Sequence, residues 1–117
     1  MKTDEKQSCL DNFFFIKSER KFERINIKDV IYIEGLKDYS KVHTIQKIYV
    51  TAINIKSFYE RLDKNVFIRI NKSFIINFDY INFIEKNFVS INNELLPIGN
   101  IYKQNLMDYV NSKLIKR

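Results

Sequence analysis

Three short polar segments hold the side chains best suited to meet a polyanion: GLKDYSK (35–41), RINKS (69–73) and GNIYK (99–103). Each joins at least one cation to short polar residues. Lys and Arg neutralise phosphates and release counterions, Ser hydroxyls and backbone N–H groups fix register on a sugar-phosphate backbone, and Asn can donate and accept at a base edge at once. Taken singly, each segment is also ordinary turn material, because Gly, Asn, Ser and Lys suit turns for local reasons. Only a fold that brings the three together would make them one binding face.

Catalytic chemistry finds less to work with. The chain has one histidine, His43, and one cysteine, Cys9, with no Cys/His cluster for zinc and no Gly-rich phosphate loop. His43 alternates with Val42 in a strand-like run and reads as a surface or half-buried strand residue. Asp29 and Glu34 flank a strand, but nothing in the sequence sets them up as a general acid and base. The expectation is a protein that is not an enzyme and takes no cofactor or metal.

The 117 residues, 45% hydrophobic and 15% aromatic, suit one domain with a single core. A lone cysteine closes no disulfide within the chain, which fits a reducing, cytoplasmic location, and no segment approaches a membrane span or a secretion signal. Residues 1–10 read as a flexible leader or linker stub and 11–117 as the domain. Ile, Asn, Lys, Phe and Tyr abound while Ala appears once, a skew that follows A/T-rich codons, so the number of lysines alone carries little functional weight. Their distribution says more. The net charge of +6 is concentrated: residues 37–72 carry eight Lys or Arg against three Asp or Glu, and residues 103–117 carry four against one. A localised basic excess steers polyanions, nucleic acid first among them.

The elements that must position the polar segments are strands. Apolar residues alternate with period two at Phe13–Ser18, Phe22–Asn26, Val30–Glu34, Tyr39–Thr44, Ile48–Val50, Val66–Ile70, Phe74–Asn77, Ile81–Glu85, Phe88–Ile91 and Glu94–Ile98. Short turns between them favour antiparallel hairpins over crossovers. The spacing predicts a helix over 54–62, with Asn54 as N-cap and Ile55, Phe58, Tyr59 and Leu62 on one face, and a second over about 101–115, with Tyr102, Leu106, Tyr109, Val110 and Leu114 on one side. The fold class is mainly β: an elongated domain of about ten short antiparallel strands in small packed sheets. In such a fold the residues free to meet a large partner lie at hairpin tips, where the three polar segments fall.

Three ordered signatures, VIYIEGLKDYSKVHT (30–44), FIRINKSFIINFDYI (67–81) and LPIGNIYK (96–103), together with the intervening helix NIKSFYERL, resemble the LytTR family, DNA-binding domains that commonly end bacterial response regulators. The resemblance covers roughly Phe13 to Val110. It implies recognition without a helix-turn-helix, by loops that enter successive major grooves on one face of double-stranded DNA at promoter direct repeats. Carried over by position, the first loop falls on Tyr39, Ser40 and Lys41, the second on Asn71, Lys72 and Ser73, and the third on Asn100 and Lys103; Lys37, in the first polar segment, is counted with them as DNA-binding. Lys41, Ser73 and Lys103 would hold phosphates; Ser40, Lys72 and Asn100 would read base edges, Lys72 at guanine and Asn100 at adenine.

The chain departs from the family at two of these positions. Members often place His where this chain has Asn71, and Arg after the Pro-Ile-Gly turn where it has Asn100, which changes the base preferred there; Asn100 could equally cap the C-terminal helix. Arg69 could pair with a carboxylate or a phosphate. The resemblance also implies RNA polymerase and an N-terminal receiver domain as partners. This sequence supplies no receiver pattern, so it reads as an excised effector domain or a free-standing regulator. The alternative functions are a protein interaction module, using exposed Tyr and Phe, and a single-stranded nucleic acid binder that stacks bases on aromatics.

Overall fold

The computed structural model describes residues 12–116; the leader expected at 1–10, with Cys9, lies outside them. The alternating runs form ten strands: β1 (Phe13–Ser18), β2 (Lys21–Asn26), β3 (Val30–Leu36), β4 (Tyr39–Thr44), β5 (Ile48–Thr51), β6 (Phe67–Arg69), β7 (Phe74–Asn77), β8 (Ile81–Ile84), β9 (Phe88–Ile91) and β10 (Glu94–Pro97). All pairings are antiparallel, in a two-stranded sheet β1-β2, a five-stranded sheet β5-β4-β3-β7-β6 and a three-stranded sheet β10-β9-β8.

The five-stranded sheet is the middle layer, and its central strands are apolar on both faces. On one face Val30, Ile33, Val42, Phe67 and Ile75 pack with Phe14, Ile16 and Ile25 of the first hairpin and with Ile55, Phe58 and Leu62. On the other, Ile31, Tyr32, Ile68 and Ile76 pack with Val89, Ile91, Leu96 and Leu106. Strands buried on both sides read as near-continuous apolar runs, which accounts for the Ile-rich stretches at 30–33 and 74–77. A bulge in the β3–β4 register, between Val30 and Tyr32, puts Ile31 and Tyr32 into the same cluster. The fully buried Asn77 lies beside it: its Nδ2 donates to the Val30 carbonyl at 2.8 Å and its Oδ1 accepts from the Asp79 N–H at 2.9 Å, so the polar group is satisfied inside the core.

Helix α1 (Ile55–Glu60) starts where expected. Asn54 Oδ1 accepts from the Ser57 N–H at 2.8 Å, and Ile55 and Phe58 face the core. Its last turn tightens, with Arg61 N–H donating to Phe58 O and Leu62 N–H to Tyr59 O. The C-terminal helix is shorter than its periodicity suggests. Residues Asn100–Tyr102 wind as a 3-10 turn, α2 runs Lys103–Lys113, and Leu114 is extended and exposed rather than on the packed side. Leu106 is buried and Tyr109 stacks on Phe78 with ring centroids 3.7 Å apart. The molecule measures 49 × 35 × 25 Å, elongated as expected.

Candidate nucleic-acid interface

The first tip is the β3–β4 hairpin. Leu36 pairs with Tyr39, which leaves Lys37 and Asp38 as the turn. Lys37 has φ 55°, a left-handed conformation that carries a cost for a side chain other than Gly or Asn. Lys37 and Asp38 are exposed, Tyr39 is 53% exposed and Lys41 is half-buried. Along β4 the side chains alternate, so Tyr39, Lys41 and His43 share one face and Ser40, Val42 and Thr44 the other.

Ser40 accordingly corrects an expectation. It is fully buried, and its hydroxyl donates to the Ile53 carbonyl at 2.7 Å, tying β4 to the segment before α1. The hydroxyl expected at a base edge is turned into the protein. His43 is half-buried between neighbours, stacked on Tyr32 at 4.2 Å with Nε2 3.2 Å from Glu34 Oε1.

The second tip joins β6 to β7 through Ile70–Ser73. Among the described residues Arg69 pairs with no carboxylate; its Nε donates to Asn71 O at 3.2 Å and its Nη2 to Lys72 O at 2.8 Å. The guanidinium thus folds the turn around itself, with the Tyr102 ring beside it at 5.7 Å. Asn71 also turns inward. Its Oδ1 accepts from the Ser73 N–H at 2.7 Å, and its Nδ2 donates to Pro97 O at 2.6 Å. The side chain expected at a loop surface is a brace. Lys72 and Ser73 remain exposed, and among the described residues no acid engages Lys37, Lys41 or Lys72.

The third tip follows β10. Gly99 is the N-cap of the 3-10 turn and contributes no side chain, and Asn100 is the turn's first residue, so Asn100 caps neither this turn nor α2. It is exposed. Lys103 Nζ donates to Asn87 Oδ1 at 2.9 Å, from the β8–β9 turn.

Hydrogen bonds weld the three tips together. Gly35 N–H donates to Ser73 O at 2.7 Å, joining first to second; Gly99 N–H donates to Ile70 O at 2.8 Å, and Asn71 reaches Pro97, joining second to third. Glycine is needed at the first junction, because a Cβ on Gly35 would sit 2.7 Å from Ile55 Cβ, and a Cβ on Gly99 would press on the Tyr102 ring at 3.0 Å and touch Asn71 at 3.4 Å. Sequence reading missed the first hairpin's contribution. Ser18 Oγ donates to Val50 O at 2.8 Å and Thr51 Oγ1 to Lys17 O at 2.7 Å, and Lys17, Lys21 and Lys47 line an open cleft of about 620 Å³ with Tyr39, Glu19 and Glu23, Lys21 lying 3.6 Å from the Glu23 carboxylate.

Burial pushes the phenols of Tyr32, Tyr59 and Tyr80 above their ordinary range. At Tyr32 the bond its hydroxyl donates to Glu94 Oε1 at 3.0 Å raises it further. The contact ties the central sheet to the β9–β10 hairpin.

A family model described as the LytTr DNA-binding domain matches residues 20–111. The chain is 29% identical over 75 residues to the sensory transduction protein LytT of Bacillus anthracis, a match covering 64% of this chain and 30% of that protein's length. A solved structure described as the LytTr DNA-binding domain of a methyl-accepting/DNA response regulator from Bacillus cereus superposes with TM-score 0.73 at 21% identity, covering 86% of this chain and 97% of the other. At that identity the likeness speaks to the fold.

Proposed function

The chain belongs to the LytTr DNA-binding domain family, and on that premise we propose that it binds double-stranded DNA sequence-specifically through its welded tips, as the effector part of a bacterial transcription regulator. The observation that carries the reading is the weld itself: three segments, each ordinary alone, form one face through the Gly35–Ser73, Asn71–Pro97 and Gly99–Ile70 bonds. A face held by backbone bonds loses little freedom on binding, so its affinity is not spent on ordering loops.

In this reading Lys72, exposed and without an acidic partner, reaches guanine N7 and O6 in the major groove, and Asn100 reads adenine N6 and N7. Lys37, Lys41, Ser73 and Lys103 hold phosphates, Tyr39 packs against the backbone beside them, and Lys17 extends the electrostatic track. Ser40, Arg69 and Asn71 shape the tips without touching DNA. A receiver domain elsewhere in the full protein would control occupancy, and RNA polymerase would be the downstream partner. The family is one of DNA-binding domains rather than enzymes.

The test is a pair of substitutions titrated against many duplexes. Lys72→Ala should weaken binding with altered preference at one base position, and Lys103→Ala should weaken it nearly uniformly. Equal loss on every sequence from Lys72→Ala would remove its role as a reader. A second reading, a protein interaction module, draws on Phe15 and Phe22, 58% and 73% exposed on the first hairpin. It requires both lysine substitutions to leave DNA affinity unchanged.

A further inference from the structure

The third tip carries an apolar side chain that the proposed function does not use. Ile101 is 80% exposed, among the described residues the most exposed large apolar side chain outside the Leu114–Ile115 tail that follows α2. It occupies the middle of the Asn100–Tyr102 turn. In a 3-10 turn successive side chains point about a third of a revolution apart. Tyr102 is half-buried toward Arg69 and Gly99, whereas Asn100 and Ile101 are left exposed. Nothing in the core gains from this isoleucine.

Its neighbours define what could cover it. Asn100 precedes it, Lys103 follows two positions on, and the Asn71–Pro97 bond sets the turn against the tip that bears Lys72. An aliphatic group among cations and an amide, on a face proposed to enter the major groove, has one apolar complement on a base edge there: the C5-methyl of thymine. We propose that Ile101 is a specificity residue that packs against a thymine methyl beside the base met by Asn100, making the third tip a reader of A·T pairs. The adenine edge suited to Asn100 and the methyl suited to Ile101 lie in the same groove, and one A·T pair can offer both.

This inference rests on the DNA-reading function, and one experiment separates the two. Duplexes bound by the 117-residue chain are selected from a random pool, and each thymine of the selected site is replaced in turn by deoxyuridine, which removes only the methyl. At one thymine in each repeat the replacement should weaken wild-type binding about fourfold, the effect of one buried methyl-sized group. Ile101→Ala should lose about as much on the thymine duplex and be indifferent to deoxyuridine at that position. Ile101→Val should keep most of the discrimination. The unfolding midpoint of Ile101→Ala should match wild type, because the side chain packs on nothing in the free protein. A selected site at which wild type ignores every deoxyuridine, or at which Ile101→Ala still senses the same methyl in full, would overturn the assignment and leave the DNA-reading function intact. A pool that yields no enriched site would remove that function and this inference with it.

Discussion

The side-chain amide of Asn71 donates to the carbonyl of Pro97, 26 residues away, at 2.6 Å. This bond joins the second tip to the third, and the same side chain accepts the Ser73 N–H. Asn71→Ala should therefore weaken DNA binding on all sequences while lowering stability by about 1 kcal/mol, the low end for two lost hydrogen bonds because both are exposed. Urea unfolding and duplex titration of the same variant check it. Loss confined to one base position, with stability unchanged, would show that Asn71 reads DNA itself.

Arg69 and Lys72 are close in sequence but differ in task. Arg69 is committed to the carbonyls of Asn71 and Lys72, while Lys72 is exposed. Lys72→Ala should weaken binding chiefly at one base position, whereas Lys103→Ala, at a phosphate, should reduce the slope of log affinity against log salt by about 0.9. Arg69→Gln should weaken binding with less change in slope, because its guanidinium is spent on holding the turn. Equal slope changes would place Arg69 on the DNA.

Gly35→Ala puts a methyl 2.7 Å from Ile55 Cβ, and neither the β3 backbone nor the root of a helix side chain yields easily. A loss of about 1–3 kcal/mol is expected, typical of overpacking, with weaker DNA binding because Gly35 also holds Ser73. The urea midpoint checks the first part; a variant as stable as wild type would mean that α1 shifts freely and is not fixed by this contact.

Tyr32 makes stability depend on pH. Its phenol titrates above the ordinary 10.0, first through burial and then through Glu94, so the fold favours the protonated form. Stability from this group is complete below pH about 10 and is lost as the pH rises above it. Tyr32→Phe, missing the bond to Glu94, should be about 1 kcal/mol less stable than wild type at neutral pH, and the gap should close as the pH passes 10. Urea titrations at pH 7 and pH 11 decide it; a gap of constant size would mean that the phenol titrates alike folded and unfolded.

Much of this architecture was legible in the alternation of apolar residues, since each of the ten runs became a strand within a residue or two of its expected ends. Ser40 shows that the pattern held more than was taken from it. Val42 alternates inward, so Ser40, two residues before it, faces inward as well, yet its hydroxyl and its place in a tip suggested DNA. Asn71 two residues before Ser73 is likewise a spacing that suits a side chain bonding its own turn. The joining of the tips was not legible. Gly35 and Ser73 are 38 positions apart, and local periodicity carries no signal for sheet order β5-β4-β3-β7-β6, which makes β3 and β7 neighbours. The 3-10 turn that delays α2 was not legible because the apolar side Tyr102, Leu106, Tyr109 and Val110 runs across the start of α2 at Lys103 without a break.

The most direct test of the central claim is selection of bound duplexes from a random-sequence pool at near-physiological salt, followed by titration of the selected duplex against a scrambled one. A short enriched motif, bound about a thousandfold more tightly than the scrambled duplex, is the expected result. Flat enrichment, with binding that is salt-sensitive but blind to sequence, would contradict it and reduce the welded tips to a basic surface.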